Sequence, residues 1–218
     1  MILNKCKSAV LLLTLMTGAL MTTRAQDAPA PVETSQDVHV TVHMGIKGGA
    51  SLMQLYGANF QSGFRTGFDA GAFAEINITP KWGVQPEIMF NQTSYMTGGQ
   101  FSNIYPDGVN NYKGQMSYVT IPILFTYTPA KWLSLQAGPQ YGILVSNDRK
   151  VVQNTQPPFK NGNASLVIGT QFNMSRFKLG ARYVVGLTDL NGLYKTTEYD
   201  LAEWSLSGFQ FYLGFRIF

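Results

Sequence analysis

Few residues in this chain could do chemistry. His39 and His43 are the only histidines and Cys6 the only cysteine. The two histidines share one face of an extended segment, yet four residues at about 3.3 Å each hold them about 13 Å apart, so they cannot ligate one ion together. Glu75 and Glu87 could be a carboxylate pair dividing acid and base work, but two acids among bases on the same face are more often structural. No phosphate loop, dinucleotide fingerprint or zinc spacing occurs. Asp189, Glu198, Asp200 and Glu203 make one acidic stretch, suited to a divalent ion or simply to solvation. Tyr105, Tyr112, Tyr194, Tyr199 and Trp204 stand among Asn and Gly, a composition that suits contact with protein or glycan. No metal site and no cofactor is assigned.

The elements that must position these residues are strands. Tyr118–Val145 holds two runs around a short turn, and in each every second residue is apolar. Val119, Ile121, Ile123, Phe125 and Tyr127 alternate with Thr120, Pro122, Leu124, Thr126 and Thr128, and Leu133, Leu135, Ala137, Tyr141 and Ile143 continue the row after the turn. Period two marks a β-hairpin with one apolar and one polar face. Each arm reaches the nine to eleven residues that a tilted strand needs to cross a bilayer. The alternation recurs over Val38–Leu52, Gly67–Ile78, Trp82–Thr93, Ala164–Asn173, Phe177–Thr188 and Phe209–Ile217, for about eight strands.

Ahead of them, Met1–Ala25 has the form of an export signal, with Lys5 and Lys7, an apolar stretch too short to span, and a small residue before the cut. Cys6 lies inside it, so the mature chain has no disulfide or thiol chemistry. Processing removes three of the sixteen basic residues, leaving thirteen against twelve acids. The basic balance therefore carries no sign of a nucleic-acid partner. Residues 26–37 read as a flexible lead-in, and 38–218 as one domain.

Short connections (Thr79–Trp82, Thr128–Trp132, Met174–Phe177) alternate with long ones (about 54–65, 97–114, 147–163 and 191–205). Outer-membrane barrels show the same asymmetry, with short periplasmic turns and long outer loops. Each short turn carries a basic residue and an aromatic, as one device used three times. Trp82, Tyr127, Trp132 and Phe177 are predicted at the headgroup boundary, where such rings prefer to sit. The polar face carries Lys47, Asp69, Glu75, Glu87, Lys178, Arg182 and Arg216, which a soluble sandwich would leave outside. A barrel in lipid instead turns its apolar rows outward. About eight strands leave an interior only wide enough for side chains. The fold predicted is an all-β, eight-stranded antiparallel up-and-down transmembrane barrel. Its lumen is predicted to hold an ion-pair network of Glu75, Glu87, Lys178, Arg182 and Arg216, with Lys47 and Asp69 at its upper edge. Both histidines then start the first strand on the periplasmic side, away from the outer loops, where a hydrolase would need its base.

The stretches "YVTIPILFTYTP", "WLSLQAGPQYGILVS", "HMGIKGGAS", "FKLGARYVVGLTDL" and the terminal "FQFYLGFRIF" resemble the PorT-like outer-membrane β-barrel proteins of Bacteroidetes-type bacteria, similar in architecture to OmpX and the OmpA barrel. The resemblance spans Val38 to Phe218 and implies a link to protein secretion. Phe218 resembles the terminal signal for barrel insertion, although it falls in the inward phase with Gly214 and Arg216. The expectation is a non-enzymatic protein of the outer membrane of a Gram-negative bacterium, a monomer inserted by the barrel-assembly machinery, surrounded by outer-membrane lipid, and acting through its loops on a protein or glycan partner. A narrow channel for small solutes and a barrel enzyme acting on lipid or peptide are the alternatives.

Overall fold

The computed structural model describes residues 40–57, 60–104, 108–147, 159–190 and 204–218. The signal segment 1–25, the lead-in 26–37, His39, Tyr105, Tyr194, Tyr199, Glu198, Asp200 and Glu203 lie outside the described residues. Eight antiparallel strands follow one another around a closed barrel: β1 (Thr41–Tyr56), β2 (Arg65–Asn77), β3 (Trp82–Met96), β4 (Lys113–Ala130), β5 (Leu133–Asn147), β6 (Gly162–Met174), β7 (Phe177–Gly186) and β8 (Ser205–Arg216). A single helical turn, α1 (Phe101–Ile104), sits between β3 and β4. Strand β1 also pairs with β8, so no sheet edge is left open. Closure is what a strand wall in lipid requires, because a free edge would leave backbone groups without partners.

The two faces divide as the alternation predicts. Ile121, Leu135 and Phe211 are 43, 43 and 47 % exposed, whereas Glu87 and Arg182 are 4 and 3 % exposed. The apolar rows therefore face outward and the charged rows face the axis. Trp82 to Phe90 on β3 and Val119 to Tyr127 on β4 each give about nine residues of outward apolar face, the length needed to cross the hydrocarbon layer at a tilt.

The strands overrun the predicted ends on the outer side, and there the faces exchange character. On β3, Gln92 and Ser94 now point outward and Tyr95 inward, where it is buried; on β4, Lys113 and Gln115 are exposed while Met116 and Tyr118 are buried. Gln92 Nε2 donates to Gln115 Oε1 across the outer surface (3.0 Å). Polar-out and apolar-in is the pattern of a strand in water. On β3 and β4 the barrel wall thus continues past the apolar band as a water-type structure.

Hydrogen-bonded pairing runs without a gap in five of the eight strand pairs. The other three, β2–β3, β3–β4 and β4–β5, each skip two consecutive pairs where the skipped positions include Pro86, Pro122 and Pro139 respectively, and β4–β5 also shifts register at Ser117/Tyr118 and Tyr127/Ala130. Proline has no N–H to donate to a ladder, so a line of weaker pairing crosses one side of the wall. The short turns also differ from one another. The Thr79 hydroxyl accepts from the Trp82 amide (2.9 Å), Thr128 instead lies within β4 with its hydroxyl 2.9 Å from that of Ser134, and Ser175 adopts φ 56°. The shared spelling of basic residue and aromatic does not make one turn type.

Candidate functional site

Glu87 on β3 is the centre of the lumen. Its Oε1 accepts from Lys47 Nζ of β1 and from Gln85 Nε2 (2.8 Å), and its Oε2 accepts from Arg182 Nη1 of β7 (2.9 Å). Arg182 Nε donates to Gln210 Oε1 (2.6 Å), and Gln210 Nε2 donates onward to Asp69 Oδ1 (3.1 Å) and Asn91 Oδ1 (3.3 Å). A second group lies toward the short turns. Lys178 Nζ is 3.0 Å from Glu75 Oε1 and also donates to Asn173 Oδ1 (2.9 Å), while Gln171 Nε2 donates to Glu75 (3.2 Å).

Tyr212 joins the two groups. Its hydroxyl donates to Gln136 Oε1 (3.0 Å) and Gln171 Oε1 (3.1 Å), and Gln136 in turn donates to Gln85 (3.0 Å). Lys47 Nζ stands 4.3 Å from the Tyr212 ring centre and Arg182 Cζ 5.4 Å from it, within cation–π range. Space for this ring comes from Gly180, where a Cβ would stand 2.1 Å from Tyr212 Cζ.

Six of the seven charged residues singled out on the polar face thus enter these two groups, with two corrections of position. Lys47 is not at the upper edge but shares Glu87 with Arg182 at the centre. Arg216 is half-buried beside Gly45 at the end of β8 and, among the described residues, makes no ion pair with a luminal acid. The bridging amides Gln85, Gln136, Gln171 and Gln210 carry no charge to draw attention, though each sits in the inward phase of its strand. Glu75 and Glu87 fall in different groups, Glu75 paired with Lys178 and Glu87 with Lys47 and Arg182. His43 Nδ1 is buried without a hydrogen-bond partner. Among the described residues, no three His, Asp or Glu side chains gather to hold a metal.

Above the charges lies an apolar cap, and here the expected display of Trp204 as a loop contact is corrected. Trp204 is fully buried, not displayed, and Tyr112 is half-buried against the same cluster. The Trp204 ring meets Phe60 (4.9 Å) and Phe159 (5.4 Å) edge-on, and Phe159 meets Tyr95 (5.2 Å). Phe101 of α1 packs on Phe60 (5.4 Å). Asp189 accepts from the Trp204 amide (3.0 Å) and pairs with Lys160 (2.8 Å), so this acid fastens the cap. The sequence places Trp204 in a loop because its burial depends on rings from other connections.

At the other end Trp82, Trp132 and Phe177 are all at least half exposed. Trp82 lies 4.5 Å from Tyr127, Trp132 stacks on Phe172 (6.0 Å), and Phe177 meets Phe215 (5.3 Å). These rings line the rim at the short-turn end of the barrel.

A closed barrel with apolar rows outward, a charged lumen and an aromatic rim defines an integral membrane β-barrel. The family model described as "Outer membrane protein beta-barrel domain" matches residues 24–192, so the chain belongs to that family and resides in the outer membrane. No curated protein matches it. Among solved structures, Neisserial surface protein A is similar at a TM-score of 0.53 and 8 % identity over 80 % of this chain and 97 % of that one. Ail, the attachment invasion locus protein of Yersinia pestis, solved with the heparin analogue sucrose octasulfate, matches at a TM-score of 0.48 and 13 % identity over 81 % of this chain and 99 % of that one.

Proposed function

We propose that this outer-membrane barrel is non-enzymatic and non-conducting, and that it works as a structural or interaction protein through its outer end. The observation that carries the reading is the pairing of Glu87 with Lys47, Arg182 and Gln85 across the lumen. A carboxylate held by two cations and an amide has its charge neutralised and all but one of its roughly four lone-pair directions taken, and a bridge between opposite walls obstructs a solute path. The cap of Trp204, Phe60 and Phe159 adds a second, apolar barrier. The protein is a monomer in outer-membrane lipid, delivered by the barrel-assembly machinery, and its outer loops meet a protein or glycan. The resemblance to PorT-like proteins supports an accessory role in secretion or the envelope. Planar-bilayer recording tests the closed lumen: no steps of nanosiemens size are expected, and such steps would overturn it. Pulldown with the outer loops deleted one at a time tests the interaction role, which predicts that at least one deletion abolishes partner recovery.

A further inference from the structure

Between the charged tier and the apolar cap the lumen holds a cavity, with about 30 Å³ open to the centres of water-sized molecules. Asp69 Oδ2, Thr93 Oγ1, Tyr118 OH and Gln140 Oε1 are buried without any partner in the protein, and all four residues line this cavity. Their residues are only 3, 5, 3 and 7 % exposed. They come from β2, β3, β4 and β5, so the unpaired groups converge from four neighbouring strands. Buried polar groups are rarely left unpaired, and four at one cavity point to something that pairs them.

The unpaired atoms select the ligand. Asp69 Oδ2 and Gln140 Oε1 can only accept, while the two hydroxyls can accept or donate. An anion is excluded by the carboxylate. A cation is disfavoured by charge already present: Glu87 faces two cations, Lys47 and Arg182, and the Asp69 charge offsets the second through the Gln210 bridge. One more positive charge in this low-dielectric space would be uncompensated. What remains is a neutral hydrogen-bond donor. At about 10–15 Å³ of such space per water, the cavity takes two or three waters and nothing as large as a sugar. We propose that this chamber is a binding site for two or three resident water molecules, an integral part of the folded barrel. The Arg182–Gln210–Asn91 tier closes it below, and Met53, Val184 and Leu206 roof it.

The test is NMR of the full chain in lipid nanodiscs, reading cross-relaxation between water and the methyl groups of Thr93 and Thr120, which line the chamber. Cross-peaks at the water frequency with the sign of slowly tumbling protons are expected. Their absence would overturn the proposal. Thr93→Val keeps the side-chain shape and removes one hydroxyl, and should weaken the Thr120 cross-peak at least twofold. Gln140→Trp should abolish it by filling the chamber; where that variant does not fold, the Thr93→Val comparison decides alone. Titration with sodium, potassium and calcium chlorides should leave both methyl shifts unmoved, and a saturable shift would replace the water site with a cation site.

Discussion

In the membrane-spanning part of the barrel the interior is polar, with Lys47, Glu87, Arg182, Gln210 and Asp69 bonded in series, and the outside is apolar. A few residues further along the same strands, Tyr95, Met116 and Trp204 fill the interior while Ser94, Gln115 and Lys113 face out. One continuous wall is built on two opposite patterns. The surrounding solvent accounts for the switch: against acyl chains the wall gains nothing by hiding Ile121, but against water it gains by hiding Trp204. The two interiors should therefore fail differently.

Glu87→Ala is expected to be the most damaging change, because it leaves Lys47 and Arg182 buried without their shared carboxylate. Removing one partner of a buried pair costs about 3–5 kcal/mol, read as a lower urea midpoint for the whole barrel in lipid vesicles. Trp204→Ala carries a similar local cost of about 3–5 kcal/mol, but its damage should stay outside the lipid. Hydrogen exchange should speed up at the outer ends of β1, β3 and β8 while the spanning segments keep their protection. Equal loss in both regions would break the distinction between them.

The boundary itself can be sharpened on β4 with one substitution at two sites. Ile121→Lys lies within the lipid band and should cost about 2–4 kcal/mol, whereas Gln115→Lys, beyond it, should cost about 0–1 kcal/mol. Gly180→Ala should cost about 1–3 kcal/mol by forcing Tyr212 from between Lys47 and Arg182. The smallest effect belongs to the proline line. Amides flanking Pro86, Pro122 and Pro139 should exchange faster than those at equal depth in β6–β8, where the ladder has no gaps.

The sequence shows the membrane half far better than the cap. Lipid tolerates few exceptions, so the outward row of β4 is spelled out residue by residue, and with it the inward phase that gathers Lys47, Glu87 and Arg182. The cap lacks such spelling. Trp204 and Phe60 meet only after folding, between connections far apart in the chain, and each stretch alone has the Gly, Asn and Tyr content of an exposed loop. The luminal amides are hidden for another reason. Gln136 and Gln171 owe their roles to what lies across the axis, above all the Tyr212 hydroxyl, and alternation specifies a face but not the partner across it.

A nitroxide scan of β4 from Lys113 to Tyr127, in lipid, measures the reversal of faces most directly by comparing collisions with oxygen, enriched in the bilayer, and with a water-soluble nickel chelate. Oxygen maxima are expected at Val119, Ile121, Ile123 and Phe125, giving way to chelate maxima at Gln115 and Lys113, with Thr120 and Leu124 shielded from both. Oxygen maxima at Thr120 and Leu124, or an oxygen-rich row continuing through Gln115 and Lys113, would contradict a wall that serves two solvents with opposite faces.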